Sequence, residues 1–149
     1  MKDRQDTPGE LRARALRLLA RREHSRTELA RKLAAGAESR EVLESVLQAL
    51  EQKKQLSDER FASERARRLS RKYGAARIRQ DLKARGVDAA VIDRITPEGE
   101  LERARAILER KYREPATTRE ERAKRARFLQ SRGFSFDIIR SVLSSREPI

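Results

Sequence analysis

The chain has 149 residues, 41% of them charged and 37% apolar, and its 37 Lys and Arg against 24 Asp and Glu leave a formal charge of +13. It has no cysteine, which excludes a disulfide framework and thiol chemistry. Its apolar runs are too short to span a membrane and its first residues are too polar for a secretory signal, so the expected location is the cytoplasm.

Helix punctuation is legible from the N-terminus onward. Thr7-Pro8-Gly9-Glu10 offers a hydroxyl cap, a proline in the first turn and a glutamate at the third position, opening a helix through Leu11, Ala15, Leu18 and Leu19. Ser25-Arg26-Thr27-Glu28 is a capping box for a short helix carrying Leu29 and Leu33, which Gly36 is expected to stop. Ser39 caps a third helix with the stripe Val42, Leu43, Val46, Leu47 and Leu50.

The next helix opens at Ser57-Asp58-Glu59. Ser57 or Asp58 caps it; it places Phe61, Ala62, Ala66, Leu69 and Tyr73 on one side and is expected to end at Gly74. Ile78 and Leu82 mark a fifth helix closed by Gly86, and Asp88 caps a sixth with Val91, Ile92 and Ile95. Thr96-Pro97-Glu98 predicts the start of a seventh helix through Ala104, Ile107, Leu108 and Tyr112, broken by Pro115. Thr118-Arg119-Glu120-Glu121 caps an eighth with Phe128 and Leu129 facing inward, Gly133 stops it, and Ser135 caps Phe136–Leu143. No window alternates with period two, so no sheet is expected.

These nine helices carry an internal repeat. Leu33, Leu82 and Leu129 each stand nine residues before an aliphatic (Val42, Val91, Ile138) and thirteen before another (Val46, Ile95, Val142). A glycine lies between the Leu and its partners in each copy. One helix ending in glycine and a second packing back on it, three times over, predicts an all-α chain of three tandem three-helix modules. The modules are residues 7–56, 57–95 and 96–145, and the short joints between them argue for contact between neighbours.

Charge divides evenly along the chain: 13 basic against 9 acidic residues in 1–57, 11 against 6 in 58–96 and 13 against 9 in 97–149. A basic body of this kind suits a long acidic partner such as a nucleic acid or a nucleoprotein fibre. The densest stretch, Arg65 to Arg85, holds nine Lys and Arg against the single acid Asp81. Its filament- or DNA-binding candidates are Arg67, Arg68, Arg71, Lys72, Arg77, Arg79, Lys83 and Arg85, with a secondary cluster at Lys124, Arg125, Arg127 and Arg132. Tyr73 offers a ring on which a base could stack, but its place at the end of an apolar stripe favours packing in the core.

Nothing points to catalysis. His24, the sole histidine, reads as a surface turn residue, and metal-ligand clusters and phosphate-cradling glycine loops are missing, so no cofactor or metal is expected. Most carboxylates stand three or four residues from a basic neighbour, as Asp81 does from Arg77 and Arg85, which favours structural pairs. Three-helix units with a basic helix also leave open an autonomous helix-turn-helix-like nucleic-acid-binding protein. Few Asn or Gln stand where such a protein would read bases, and no dimerisation stripe is visible, so a monomer is expected.

Two stretches resemble the central signature of the RecX family of bacterial recombination regulators: Leu56-Ser57-Asp58-Glu59-Arg60-Phe61-Ala62, and the run Lys72-Tyr73-Gly74 through Asp81-Leu82-Lys83-Ala84-Arg85-Gly86-Val87. Ser25–Leu33 and Arg127–Phe134 fit the same family, so the resemblance covers about residues 10–144. Two departures are Ala37 where the family usually has Gly, and Ala75 where it often has Pro. The resemblance implies an elongated, curved array of three modules. It also implies a modulator, mainly an inhibitor, of the RecA recombinase that lies in the groove of the RecA filament on single-stranded DNA. From there such proteins suppress ATP hydrolysis, strand exchange and co-protease activity.

Overall fold

The computed structural model describes residues 5–95 and 98–144. Within them the chain forms nine α-helices and no strand: α1 (Pro8–Arg21), α2 (Arg26–Leu33), α3 (Arg40–Gln52), α4 (Asp58–Leu69), α5 (Ala75–Ala84), α6 (Ala89–Ile95), α7 (Glu100–Lys111), α8 (Arg119–Ser131) and α9 (Phe136–Ser144).

Local chemistry accounts for most of the boundaries. The Thr7 hydroxyl accepts from the Glu10 N–H and starts α1, with Pro8 in the first turn. Ser25 and Glu28 close a reciprocal capping box on α2, and Ser39 and Thr118 accept from the third N–H of α3 and α8. Ser57, not Asp58, caps α4 by accepting from the Arg60 N–H at 3.2 Å. At the other ends, Gly86 (φ 84°) and Gly133 (φ 91°) take the left-handed conformation. The following N–H groups of Val87 and Phe134 reach back to Leu82 and Leu129. α3 ends the same way on Lys54 (φ 61°), a residue that pays a steric cost glycine avoids.

The helices gather into two units. The first is Met1–Glu64 with Leu82–Arg94, the second Arg65–Asp81 with Ile95–Ile149, so the backbone of α4 and that of α5 each contribute to both. In the first unit α1, α2 and α3 pack together over Leu11, Ala15, Leu29, Leu33, Leu43, Val46, Leu47, Leu50 and Leu56. In the second α7, α8 and α9 enclose Ala104, Ile107, Leu108, Leu129, Phe134, Ile139 and Val142. The repeated leucines Leu33, Leu82 and Leu129 are all buried. The aliphatics nine residues on are only half-buried; the next residue in each copy, Leu43, Ile92 or Ile139, turns fully inward. Thirteen residues on, Val46 and Val142 are buried as the pattern requires and Ile95 is half-buried, so only the ninth-residue position shifts, by one residue.

Four expectations are corrected. α2 stops at Leu33 and a 3-10 turn, Ala34–Gly36, follows before the chain leaves. α4 stops at Leu69, and Gly74 instead opens α5 by accepting from the Ile78 N–H. Tyr73 therefore lies outside α4 and is half-buried, not a core residue. α7 starts only at Glu100 behind left-handed Gly99; the expected cap Thr96 and first-turn Pro97 lie outside the described residues, as does Ser145.

Candidate nucleic-acid interface

Fold and charge do not divide alike. The first unit carries 17 Lys and Arg against 14 Asp and Glu, a net +3, while the second carries 20 against 10, a net +10. The even distribution along the chain thus conceals a concentration of charge in one unit.

Several cations of the first unit meet carboxylates. Arg26 joins Glu44 and Glu51, each at 2.6 Å, Arg60 joins Glu23 at 3.0 Å, and Arg14 joins Asp6 at 2.7 Å. Glu28 is the centre of this network. It takes both Arg22 guanidinium nitrogens (3.1 and 3.3 Å), Arg85 at 2.7 Å and the Ser25 N–H. Burial alone pushes its carboxyl up, and Arg22, Ser25 and Arg85 together outweigh that and bring it down to about 2.

His24 belongs here too and is not a surface residue: it is 1% exposed. Its Nδ1 lies 3.0 Å from the Arg22 carbonyl and its Nε2 2.9 Å from Lys32 Nζ. A carbonyl can only accept and an ammonium can only donate, so Nδ1 carries the proton and the ring is neutral. Burial, chiefly, lowers its pKa below the ordinary imidazole value.

In the second unit two glycines set the geometry. The Gly74 N–H donates to the Arg132 carbonyl (2.7 Å) and the Ala76 N–H to that of Gly133 (3.2 Å). A Cβ on Gly74 would stand 2.5 Å from the Gly133 oxygen, and one on Gly133 would stand 2.7 Å from the Arg77 nitrogen. This close approach brings the Arg71–Tyr73 turn against the end of α8. Arg77 then donates to the Ser131 carbonyl at 2.8 Å and lies over the Tyr73 ring, its guanidinium carbon 4.5 Å from the centroid.

In the second unit Arg65 pairs with Asp81, but several other cations lie over aromatic rings. Arg132 lies over Phe128 (5.1 Å) and Tyr73 (5.5 Å), Lys111 over Phe128 (4.3 Å), and Arg125 over Tyr112 (4.5 Å). A ring holds a cation in place yet leaves its charge unneutralised. The outcome is a groove of about 410 Å³ lined by Arg71, Lys72, Ile107, Arg110, Lys111, Phe128 and Arg132: five cations, an apolar floor and no carboxylate. Arg110 also donates to the Arg71 carbonyl at 2.6 Å, tying α7 to the turn after α4. A larger depression of about 540 Å³ shares Arg71, Ile107 and Arg110 but includes Glu109, so its lining is mixed in charge.

The candidates read from sequence therefore separate. Arg67, Arg68, Arg71, Lys72, Arg77 and Arg79 belong to the second unit and are exposed; Lys83 and Arg85 belong to the first. Arg85 is half-buried and held by Glu28. In the secondary cluster Lys124 and Arg127 are exposed, Arg132 lines the groove, and Arg125 is 7% exposed under Tyr112, a packing residue. Asp81 pairs with Arg65 on α4, its Oδ2 accepting from Nη2 at 2.9 Å, rather than only with helical neighbours. The sequence reading missed Arg110 and Lys111 as groove residues. Their signal was two adjacent cations in the last turn of a helix, a position usually assigned to the helix dipole.

The chain and its fold are similar to known proteins over most of their length. Profiles of the RecX family match as RecX, first three-helix domain, over residues 12–50, second over 57–94 and third over 98–143. The chain is 44% identical over 141 residues to Regulatory protein RecX of Herbaspirillum seropedicae, covering 93% of this chain and 92% of that one. It is 42% identical over 135 residues to the protein of the same name in Neisseria gonorrhoeae, covering 89% and 88%. The fold is similar to the crystal structure of RecX from Lactobacillus salivarius, with a TM-score of 0.81 at 20% identity over 93% of this chain and 95% of that one. A second crystal structure, of regulatory protein RecX, gives 0.72 at 23% identity, over 92% of this chain and 73% of that one.

Proposed function

The chain belongs to the RecX family of regulatory proteins, and on that premise we propose that it regulates the RecA recombinase, mainly as an inhibitor. It binds the RecA filament on single-stranded DNA, lies in the filament groove as a monomer, and suppresses ATP hydrolysis, strand exchange and co-protease activity, all in the cytoplasm. Its modules are residues 7–56, 57–95 and 96–145. The observation that carries the reading is the family relation across nearly the whole chain. The charge of the second unit supports it, because a net +10 on one unit suits an acidic filament.

The exposed second-unit cations Arg67, Arg68, Arg71, Lys72, Arg77 and Arg79 are the filament-facing residues, together with Lys124, Arg127 and Arg132 on and after α8. In this reading the chain acts by occupying the filament and not by catalysis. Among the described residues no three His, Asp or Glu side chains gather as metal ligands, and no helix is long and apolar enough to cross a membrane. Regulation by occupancy needs neither.

The test is DNA-dependent ATP hydrolysis by RecA on single-stranded DNA, with the purified chain titrated in. Hydrolysis should fall at substoichiometric to equimolar ratios, and the chain alone should hydrolyse no nucleotide. Unchanged hydrolysis at a molar excess sinks the proposal.

A further inference from the structure

We propose that the groove lined by Arg71, Lys72, Arg110, Lys111 and Arg132 seats the phosphodiester backbone of a single nucleic-acid strand. Five cations share a concavity of about 410 Å³ with no carboxylate in its lining, whereas in the first unit Arg22, Arg26, Arg60 and Arg85 each meet a carboxylate. Like charges held so close repel one another, and a bound polyanion removes that repulsion while releasing its own counterions.

The anchoring is also preorganised. Lys111 and Arg132 are fixed on the Phe128 ring, and Arg110 is fixed by the Arg71 carbonyl. The side chains of Arg71 and Lys72 are exposed at the rim.

A strand suits this groove better than a compact oligophosphate or a duplex, for three reasons. The floor of Ile107 and Phe128 offers apolar surface to sugar and base edges, which an inorganic polyphosphate does not use. Other exposed basic residues of the same unit adjoin the groove residues in sequence, Arg67 and Arg68 four positions before Arg71 and Lys72 and Arg127 next to Phe128. The cavity is of nucleotide dimensions, too small to admit a double helix. The strand's biological source rests on the regulatory reading above, but its chemistry is open to test without RecA.

Fluorescence anisotropy of a labelled oligothymidylate, titrated with the full chain at several salt concentrations, reads the site directly. About five contacts give a log–log salt slope of roughly −3 to −4. The double variant Arg71→Glu/Lys72→Glu should weaken binding about tenfold or more and make the slope shallower by about 1.4. The double variant Arg17→Glu/Arg31→Glu, an equal charge change on exposed residues of the first unit, should stay within about threefold. Circular dichroism checks that each variant folds. Should the first not fold, Lys111→Gln still reads the groove and should shallow the slope by about 0.7.

Equal losses from both double variants would mean a general field effect and overturn the groove, as would wild-type affinity in the Arg71/Lys72 variant. So would displacement of the strand by tripolyphosphate at comparable concentration, or a duplex bound as tightly as the strand. RecA inhibition is measured separately. Strand binding lost with inhibition intact upholds the groove and removes it from the regulatory mechanism. Inhibition lost with strand binding intact overturns the groove and leaves the regulator.

Discussion

Arg22 and Arg132 do similar mechanical work with opposite electrostatic results. In the first unit Arg22 clamps Glu28 with two nitrogens, and the pair is close to neutral. In the second Arg132 clamps Phe128 and Tyr73, rings that leave its charge unneutralised. Composition anticipates the contrast, since five of the six aromatic residues lie in the second unit while the first has more acids. A small helical protein can thus use arginine to pack a thin core in both units yet present a strong positive field from only one.

The largest test of that contrast is Glu28→Ala. It leaves Arg22 and Arg85 without their shared carboxylate and the Ser25 N–H without its acceptor, so urea unfolding should show a loss of about 3–4 kcal/mol. A loss no greater than that of an exposed pair, under about 1 kcal/mol, would mean that the first unit does not depend on charge neutralisation.

Acid probes the same network without mutation. The folded carboxyl of Glu28, at about 2, lies below its unfolded value near 4.5. Its stabilisation is therefore complete above the unfolded value and disappears as pH falls through the folded one, up to about 3 kcal/mol in total. His24 adds in the same direction: with its folded pKa lowered, the unfolded chain takes up the proton first as pH drops below 6.5, and stability falls. Unfolding midpoints from pH 7 to pH 3 should decline, less steeply below pH 5 in Glu28→Gln and less steeply near neutrality in His24→Gln. Identical profiles in all three proteins would remove both groups from the account.

Gly133→Ala should cost the second unit about 2–3 kcal/mol, from the positive φ and the collision with Arg77. Because the same contact positions the Arg71–Tyr73 turn, the variant should also weaken strand binding. Binding at wild-type strength alongside lost stability would show that the glycine contact does not set the groove. The smallest effect is expected at Tyr112. Replacement by Leu removes the ring over buried Arg125 and should cost about 1–2 kcal/mol, whereas Tyr112→Phe should be nearly neutral. Equal costs for both would assign the stabilisation to the hydroxyl instead of the ring.

Much of this molecule is legible in its amino-acid sequence. The Thr7, Ser25, Ser39, Thr118 and Ser135 caps all operate, because a cap is a contact over three residues and its chemistry is local. The repeated Leu33, Leu82 and Leu129 were correctly placed inside for the same reason: helical period and a glycine stop are both short-range. The candidate site was legible only in outline. Arg71, Lys72 and Arg132 were named, but as members of two separate clusters 60 residues apart in the chain.

The amino-acid order thus determined nine helices, most of their ends and a large surplus of cations. Tertiary structure alone decided what each cation faces. Arg85 meets Glu28 across 57 positions and Arg65 meets Asp81 across 16, and no periodicity encodes such distances. Burial of His24, the turn of Gly74 onto Gly133 and the concentration of +10 in one unit arise likewise from segments that fold together without being neighbours in sequence. The physical reason is one of range: propensity and capping act within a helical turn or two, while electrostatic pairing and burial act between whichever surfaces packing brings together.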